Sequence, residues 1–171
     1  MSSVHEDLKS IRDILVSNDK TLSVAESVTG GNIQALLASV PKALDFYQGG
    51  ITTYNMGQKV KHLGVEPIHA SKFNSVSGKV AKELAVGAIK LFTSNFAIAV
   101  TGYVGPDENN ESGKPIAFIS IAMISNEKIS EVYQEKIEYE LKEDRAEVQK
   151  YFAECALSIF CQYLSRTFRK K

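Results

Sequence analysis

Apolar positions along this chain change period several times, and each change marks an element. Val4, Leu8, Ile11 and Leu15 recur at helical spacing and predict an opening helix that ends near Ser17-Asn18-Asp19. Thr21 to Ala25 reads as a short strand, after which Ile33, Leu36, Leu37 and Val40 restore the helical period from about Thr29 until Pro41 stops it. A strand near Gln48 to Tyr54 leads into a helix around Gly57 to Leu63, ended by Gly64, and a second short helix follows Pro67. Ser77 caps a long helix with Val80, Leu84, Ala88 and Leu91 on one face. Phe96 to Thr101 reads as a buried strand, and Ile116 to Ile124 and Ile129 to Ile137 as a hairpin across Ser-Asn-Glu-Lys. From about Lys142 the chain reads as helix to its end, with Val148, Phe152, Ala156, Phe160 and Leu164 on a wide apolar face. Helix, β/α units, hairpin, helix: this order predicts an α/β fold, a three-layer α/β/α sandwich on a mixed β-sheet.

Nothing breaks that pattern into parts. There is no low-complexity linker or internal repeat, so residues 1–171 read as one domain. The chain is 44% hydrophobic and 23% charged with zero formal net charge, so no overall field draws it to nucleic acid or to a membrane surface. The basic ending from Arg166 to Lys171 is short and reads as a solvated helix terminus. No run approaches the roughly 18 apolar residues of a membrane span, and the opening is too polar and acidic for a secretory signal. Cys155 and Cys161 lie on one predicted helix about 600° of rotation apart, on different faces, and read as small core residues in a reducing, cytoplasmic setting.

The candidate chemistry sits where strands end. Ala25-Glu26-Ser27-Val28-Thr29-Gly30-Gly31 joins a strand to a helix, placing two hydroxyls and two glycines beside free helix N–H groups. Such a turn suits a phosphate or an oxyanion, and it also suits a plain helix cap. The second strand runs out through Tyr54 towards Lys59, and the third into Thr101-Gly102-Tyr103-Val104-Gly105-Pro106. Ligands of open α/β sheets bind beyond the carboxyl ends of strands, so three such loops point to one site. The segment from Gly102 to Pro115 is long enough to be a lid or a simple solvent-exposed excursion. The three histidines, His5, His62 and His69, have no metal-ligand spacing, and no phosphate loop or dinucleotide fingerprint occurs. No metal and no cofactor are expected.

Taken together these motifs resemble one family. Ala-Glu-Ser-x-Thr-Gly-Gly, Gly-Gly-Ile-x-x-Tyr-Asn-x-x-x-Lys, Leu63-Gly64-Val65, Val76-Ser77 at a helix start, Ala-Val-Thr-Gly-x-x-Gly-Pro and Lys114-Pro115 occur in the order found in the C-terminal domain of the competence/damage-inducible protein CinA. The resemblance runs from about Leu22 to Arg145, and the chain reads as a standalone form of that domain. Four positions depart from it. Val28 stands where the family has Cys, Asp107 to Lys114 replaces a glycine-rich loop, Ala117 replaces Gly, and Gly57-Gln58 replaces Glu-Ala. Carboxylates in that loop would repel a phosphate or meet a cationic pyridinium.

The resemblance implies an amidohydrolase of pyridine nucleotide salvage that converts nicotinamide mononucleotide to nicotinate mononucleotide and ammonia. It implies Ser27 as nucleophile, supported by Lys59 and Tyr54, and a homo-oligomeric assembly. A neutral Lys59 would take the Ser27 proton and later return one to the leaving ammonia. Bringing a lysine pKa from about 10.4 to about 7–8 requires roughly 3–5 kcal/mol of differential destabilisation of the charged form. Amides at Thr29, Gly30 and Gly31 are the expected oxyanion donors. Thr101, Gly102 and Gly105 are expected to grip the nucleotide, mainly through the backbone, and Arg145 either to clamp its phosphate or to pair with Glu143 or Asp144 at the helix start. Glu26 either positions the serine or, more simply, bonds backbone. The alternative reading is a catalytically weak member that binds a nucleotide without turning it over, or a subunit with an empty pocket.

Overall fold

The computed structural model describes residues 3–110, 112–140 and 144–169. The expected helix start at Lys142, a Glu143 partner for Arg145, Glu111 of the acidic loop and the final Lys170-Lys171 lie outside them. Helix α1 (Val4–Ser17) begins with a capping box between Ser3 and Glu6. Strand β1 (Leu22–Glu26), α2 (Asn32–Ala38), a single 3-10 turn (Ala43–Asp45), β2 (Tyr47–Thr52), α3 (Met56–Leu63), α4 (Pro67–Lys72) and α5 (Gly78–Phe92) follow. The chain then continues through β3 (Phe96–Tyr103), β4 (Ile116–Ser125), β5 (Lys128–Glu138) and α6 (Arg145–Phe168). The five strands order as β2-β1-β3-β4-β5. β1 pairs parallel to β2 and β3, while β3-β4 and β4-β5 are antiparallel, giving the predicted mixed sheet.

The period of two along β1 and β3 sorts their side chains between two cores. Leu22, Val24, Phe96, Ile98 and Val100 join the core built with α1, α2 and α6. Ala25, Ala97 and Ala99 join the core beneath α3, α4 and α5. Large residues fill one face and alanines the other, so α5 lies close on the sheet. Strands covered on both faces are the usual state of a parallel sheet, and the helices here form the two outer layers.

Two glycines are fixed by packing. A Cβ on Gly102 would lie 2.1 Å from the Ile116 carbonyl oxygen, so this glycine serves the close pairing of β3 with β4. A Cβ on Gly87 would lie 2.3 Å from the Leu63 carbonyl oxygen, so α3 rests directly on the bare backbone of α5. No described helix is long and apolar enough to cross a membrane.

Candidate active site

Glu26, the last residue of β1, points to the α2 side of the sheet by the same alternation. It is fully buried, and its carboxylate accepts from the amides of Gly31 (3.0 Å), Ile33 (3.2 Å) and Gln34 (2.8 Å). The N-terminus of α2 is thus capped by a residue five positions upstream, a favourable place for negative charge. Gly31, at φ +104°, makes the turn that allows it. Burial and then the Glu26 charge push the neighbouring Tyr47 phenol up to about 12. We expect Glu26→Gln to lower the unfolding free energy by about 1–3 kcal/mol, read from urea denaturation, because amides now bonded to a carboxylate lose charged acceptors.

This cap decides which amides the turn can offer a ligand. Gly31 is committed to Glu26, and the Gly30 amide donates to the Ser27 carbonyl at 3.1 Å. Among the described residues the amides of Val28 and Thr29 form no hydrogen bond, so the free donors sit earlier than the expected Thr29 to Gly31. The Thr29 side chain is fully buried with its hydroxyl unpartnered, and Thr29, Gly30 and Gly31 do not line the cavity described below.

Ser27 follows at the strand end and is 6% exposed. Lys59 reaches it from α3, which Asn55 caps through the Gln58 amide at 3.1 Å. Lys59 and Leu63 are the buried pair of this amphipathic helix, four residues apart, so the lysine occupies a core-facing position while Lys61 faces solvent. Lys59 Nζ donates to Ser27 Oγ at 2.9 Å and to the Tyr54 carbonyl at 3.3 Å. The side chain is 2% exposed, and no described carboxylate forms an ion pair with it. Burial pulls its pKa down to about 8.

The other expected residues fall into two groups. Tyr54 is 55% exposed, and its hydroxyl accepts from Arg145 Nη2 at 2.5 Å, so its backbone carbonyl rather than its phenol touches the lysine. Arg145 opens α6, beside the cap Asp144. Thr101 is buried and its hydroxyl donates to the Ser75 carbonyl at 2.8 Å, so it anchors the segment before α5. Ser27, Tyr54, Lys59, Thr101, Gly102, Gly105 and Arg145 nonetheless border one cavity of about 540 Å³. Asn55, Asn74, Ser75, Tyr103 and Asp107 line it as well. Asn74 and Ser75 escape a reading of strand ends because they sit in the turn before a helix. In sequence their one signal is the turn-forming pair Asn74-Ser75; in the structure they stand out as two successive non-glycine residues at φ +45° and +60°. Of the histidines, His62 bonds Gln58 on the surface of α3 and His69 bonds Ser77, and neither reaches the dyad.

A buried serine and lysine in contact, without a carboxylate, form an arrangement suited to a nucleophile and its base. The chain has relatives with the same fold. It is 36% identical over 155 residues to a CinA-like protein of Picosynechococcus sp., covering 90% of this chain and 36% of that protein. It is 35% identical over 140 residues to a CinA-like protein of Fervidobacterium nodosum, covering 82% of this chain and 33% of that protein. The chain therefore spans about a third of the length of the curated relatives it matches. Among solved structures, a CinA superfamily protein from Escherichia coli superposes with a TM-score of 0.82 at 28% identity, over 94% of this chain and 90% of that one. The competence damage-inducible protein A of Klebsiella pneumoniae gives 0.84 at 25% identity, over 96% and 98%. The model of the CinA C-terminal domain matches residues 5–164, and the chain belongs to that family.

Proposed function

We propose that this chain is an amidohydrolase that deamidates nicotinamide mononucleotide to nicotinate mononucleotide and ammonia, in pyridine nucleotide salvage. The observation that carries the reading is the buried contact of 2.9 Å between Lys59 Nζ and Ser27 Oγ, with the lysine pKa at about 8. About a tenth of the lysine is then neutral near pH 7. The neutral amine takes the Ser27 proton as Oγ attacks the carboxamide carbon, and the tetrahedral oxyanion turns towards the free amide of Val28, which borders the cavity. The lysine returns the proton to the departing nitrogen, releasing ammonia and leaving an acyl-serine. Water activated by the same lysine then adds to the acyl carbon and frees the carboxylate. The Tyr54 carbonyl steadies the lysine, and Arg145 offers its remaining N–H groups to the substrate phosphate.

The test is ammonia release from nicotinamide mononucleotide by the purified protein, followed from pH 6 to 10. Because the reactive form is the neutral lysine, kcat/KM is expected to rise about tenfold per pH unit below about 8 and to level off above it. No ammonia at any pH, or a rate that does not rise with pH, removes the proposal. Saturable binding of the nucleotide without ammonia would instead support a binding module.

A further inference from the structure

The cavity is charged asymmetrically. Among its lining residues Lys59 and Arg145 are the bases and Asp107 is the single acid. Asp107 belongs to a loop that closes on itself. Its Oδ1 accepts from the Asn109 amide at 2.9 Å and from the Asn109 side chain at 3.1 Å, and its carbonyl accepts from the Asn110 amide at 2.9 Å. Asn110 is 7% exposed, although it lies in a polar surface loop. Its side-chain amide donates to the carbonyls of Gly105 (3.2 Å) and Lys114 (2.7 Å), and its Oδ1 accepts from Ser112 Oγ at 2.9 Å. One buried amide thus ties both ends of the loop and holds Asp107 at the cavity wall. The carboxylate acts on that wall: Tyr103 beside it has its phenol pushed up by burial and, less, by the Asp107 charge.

We infer that Asp107 is a specificity-determining residue, selecting nucleotides whose ring is a quaternary, positively charged pyridinium over those with an uncharged ring, and that Asn110 is its positioning residue. The inference rests on the reading of the cavity as a pyridine-nucleotide site. A carboxylate held at the cavity wall, exposed but fixed in place by its loop, attracts a ring cation, while Arg145 meets the phosphate of either ligand, so the preference tracks ring charge. Asp107→Asn keeps an oxygen to accept from Asn109 and removes only the charge.

The experiment is calorimetric titration of the full chain carrying Ser27→Ala, so that no ligand is consumed, with nicotinamide mononucleotide and with its reduced, uncharged dihydropyridine form, which has the same ribose and phosphate. With Asp107 in place this parent protein is expected to favour the cationic form by about five- to tenfold, and adding Asp107→Asn to bring that ratio close to one. Adding Asn110→Ala is expected to lower the ratio too, with a melting temperature a few degrees below the parent. An Asp107→Asn ratio equal to the parent ratio overturns the inference, and so does a parent with no preference. A parent that shows the preference while the unsubstituted chain releases no ammonia sinks the amidase reading and leaves the role of Asp107 standing. Binding of neither form, by the parent or by the unsubstituted chain, overturns both.

Discussion

Ser27→Ala is expected to reduce ammonia release from nicotinamide mononucleotide by about a thousandfold or more while the protein stays folded. The hydroxyl is small, lies at a strand end and is 6% exposed, so its loss removes no core volume. The capping of α2 by Glu26, which fixes the turn, does not involve Ser27 Oγ. In the proposed reaction the atom lost is the one that forms the acyl bond, and loss of a nucleophile leaves only the rate supplied by binding and oxyanion donors. The measurement is steady-state ammonia release beside a thermal melt. A folded Ser27→Ala protein with near-wild-type turnover would end the assignment of Ser27 as nucleophile.

Lys59→Met is expected to abolish turnover to a similar extent and, at neutral pH, to stabilise the protein. Methionine fills the same channel without a charge, and the wild-type lysine is buried with no carboxylate in contact. Linkage gives the sign. The folded pKa of about 8 lies below the ordinary value of 10.5, so below pH 8 both folded and unfolded chains carry the proton and burial of the charge opposes folding in full. Between about 8 and 10.5 the folded chain has lost the proton that the unfolded chain keeps, and stability rises with pH. The rise amounts to about 3 kcal/mol over that window. Lys59→Met lacks the rise, so its advantage is largest at neutral pH and shrinks towards pH 10. Urea denaturation of both proteins at pH 7 and pH 10 measures this, and a Lys59→Met protein less stable than wild type at pH 7 contradicts it.

Elements were legible wherever hydrophobic period and punctuation agreed. Ser77, Gly64 and Pro67 mark helix ends in the sequence, and each stands at or beside a cap in the structure. The Thr29 start expected for α2 fell early because Glu26, not Ser27 or Thr29, caps that helix, and a cap five residues upstream leaves no local signature. The site was partly legible: hydroxyls and glycines at three strand ends named the place. Spacing alone did not separate Lys59 from Lys61; only its pairing with Leu63 on the buried face does so. Individual roles were harder still. Thr101 and Gly102 border the cavity as expected of residues gripping a ligand through the backbone, but the Thr101 hydroxyl holds the Ser75 carbonyl and the bare face of Gly102 is taken by β4. Both depend on partners 14 or more residues away, which no local pattern shows.

The bare backbone at Gly87 makes tolerance to change in this protein unequal in an unexpected place. Position 87 lies within α5 and outside the cavity, and by helix propensity alone alanine there is an improvement. Yet the atom that alanine adds has no space before it meets the carbonyl of Leu63, at the foot of the helix that carries Lys59. A side chain there pushes α3 outward and lengthens the contact between Lys59 and Ser27, which at 2.9 Å has little slack. In a survey of random variants, position 87 would score among the catalytic residues although it touches no substrate. The spacing between two helices thus constrains substitution in this chain as tightly as the contact between Lys59 and Ser27 itself.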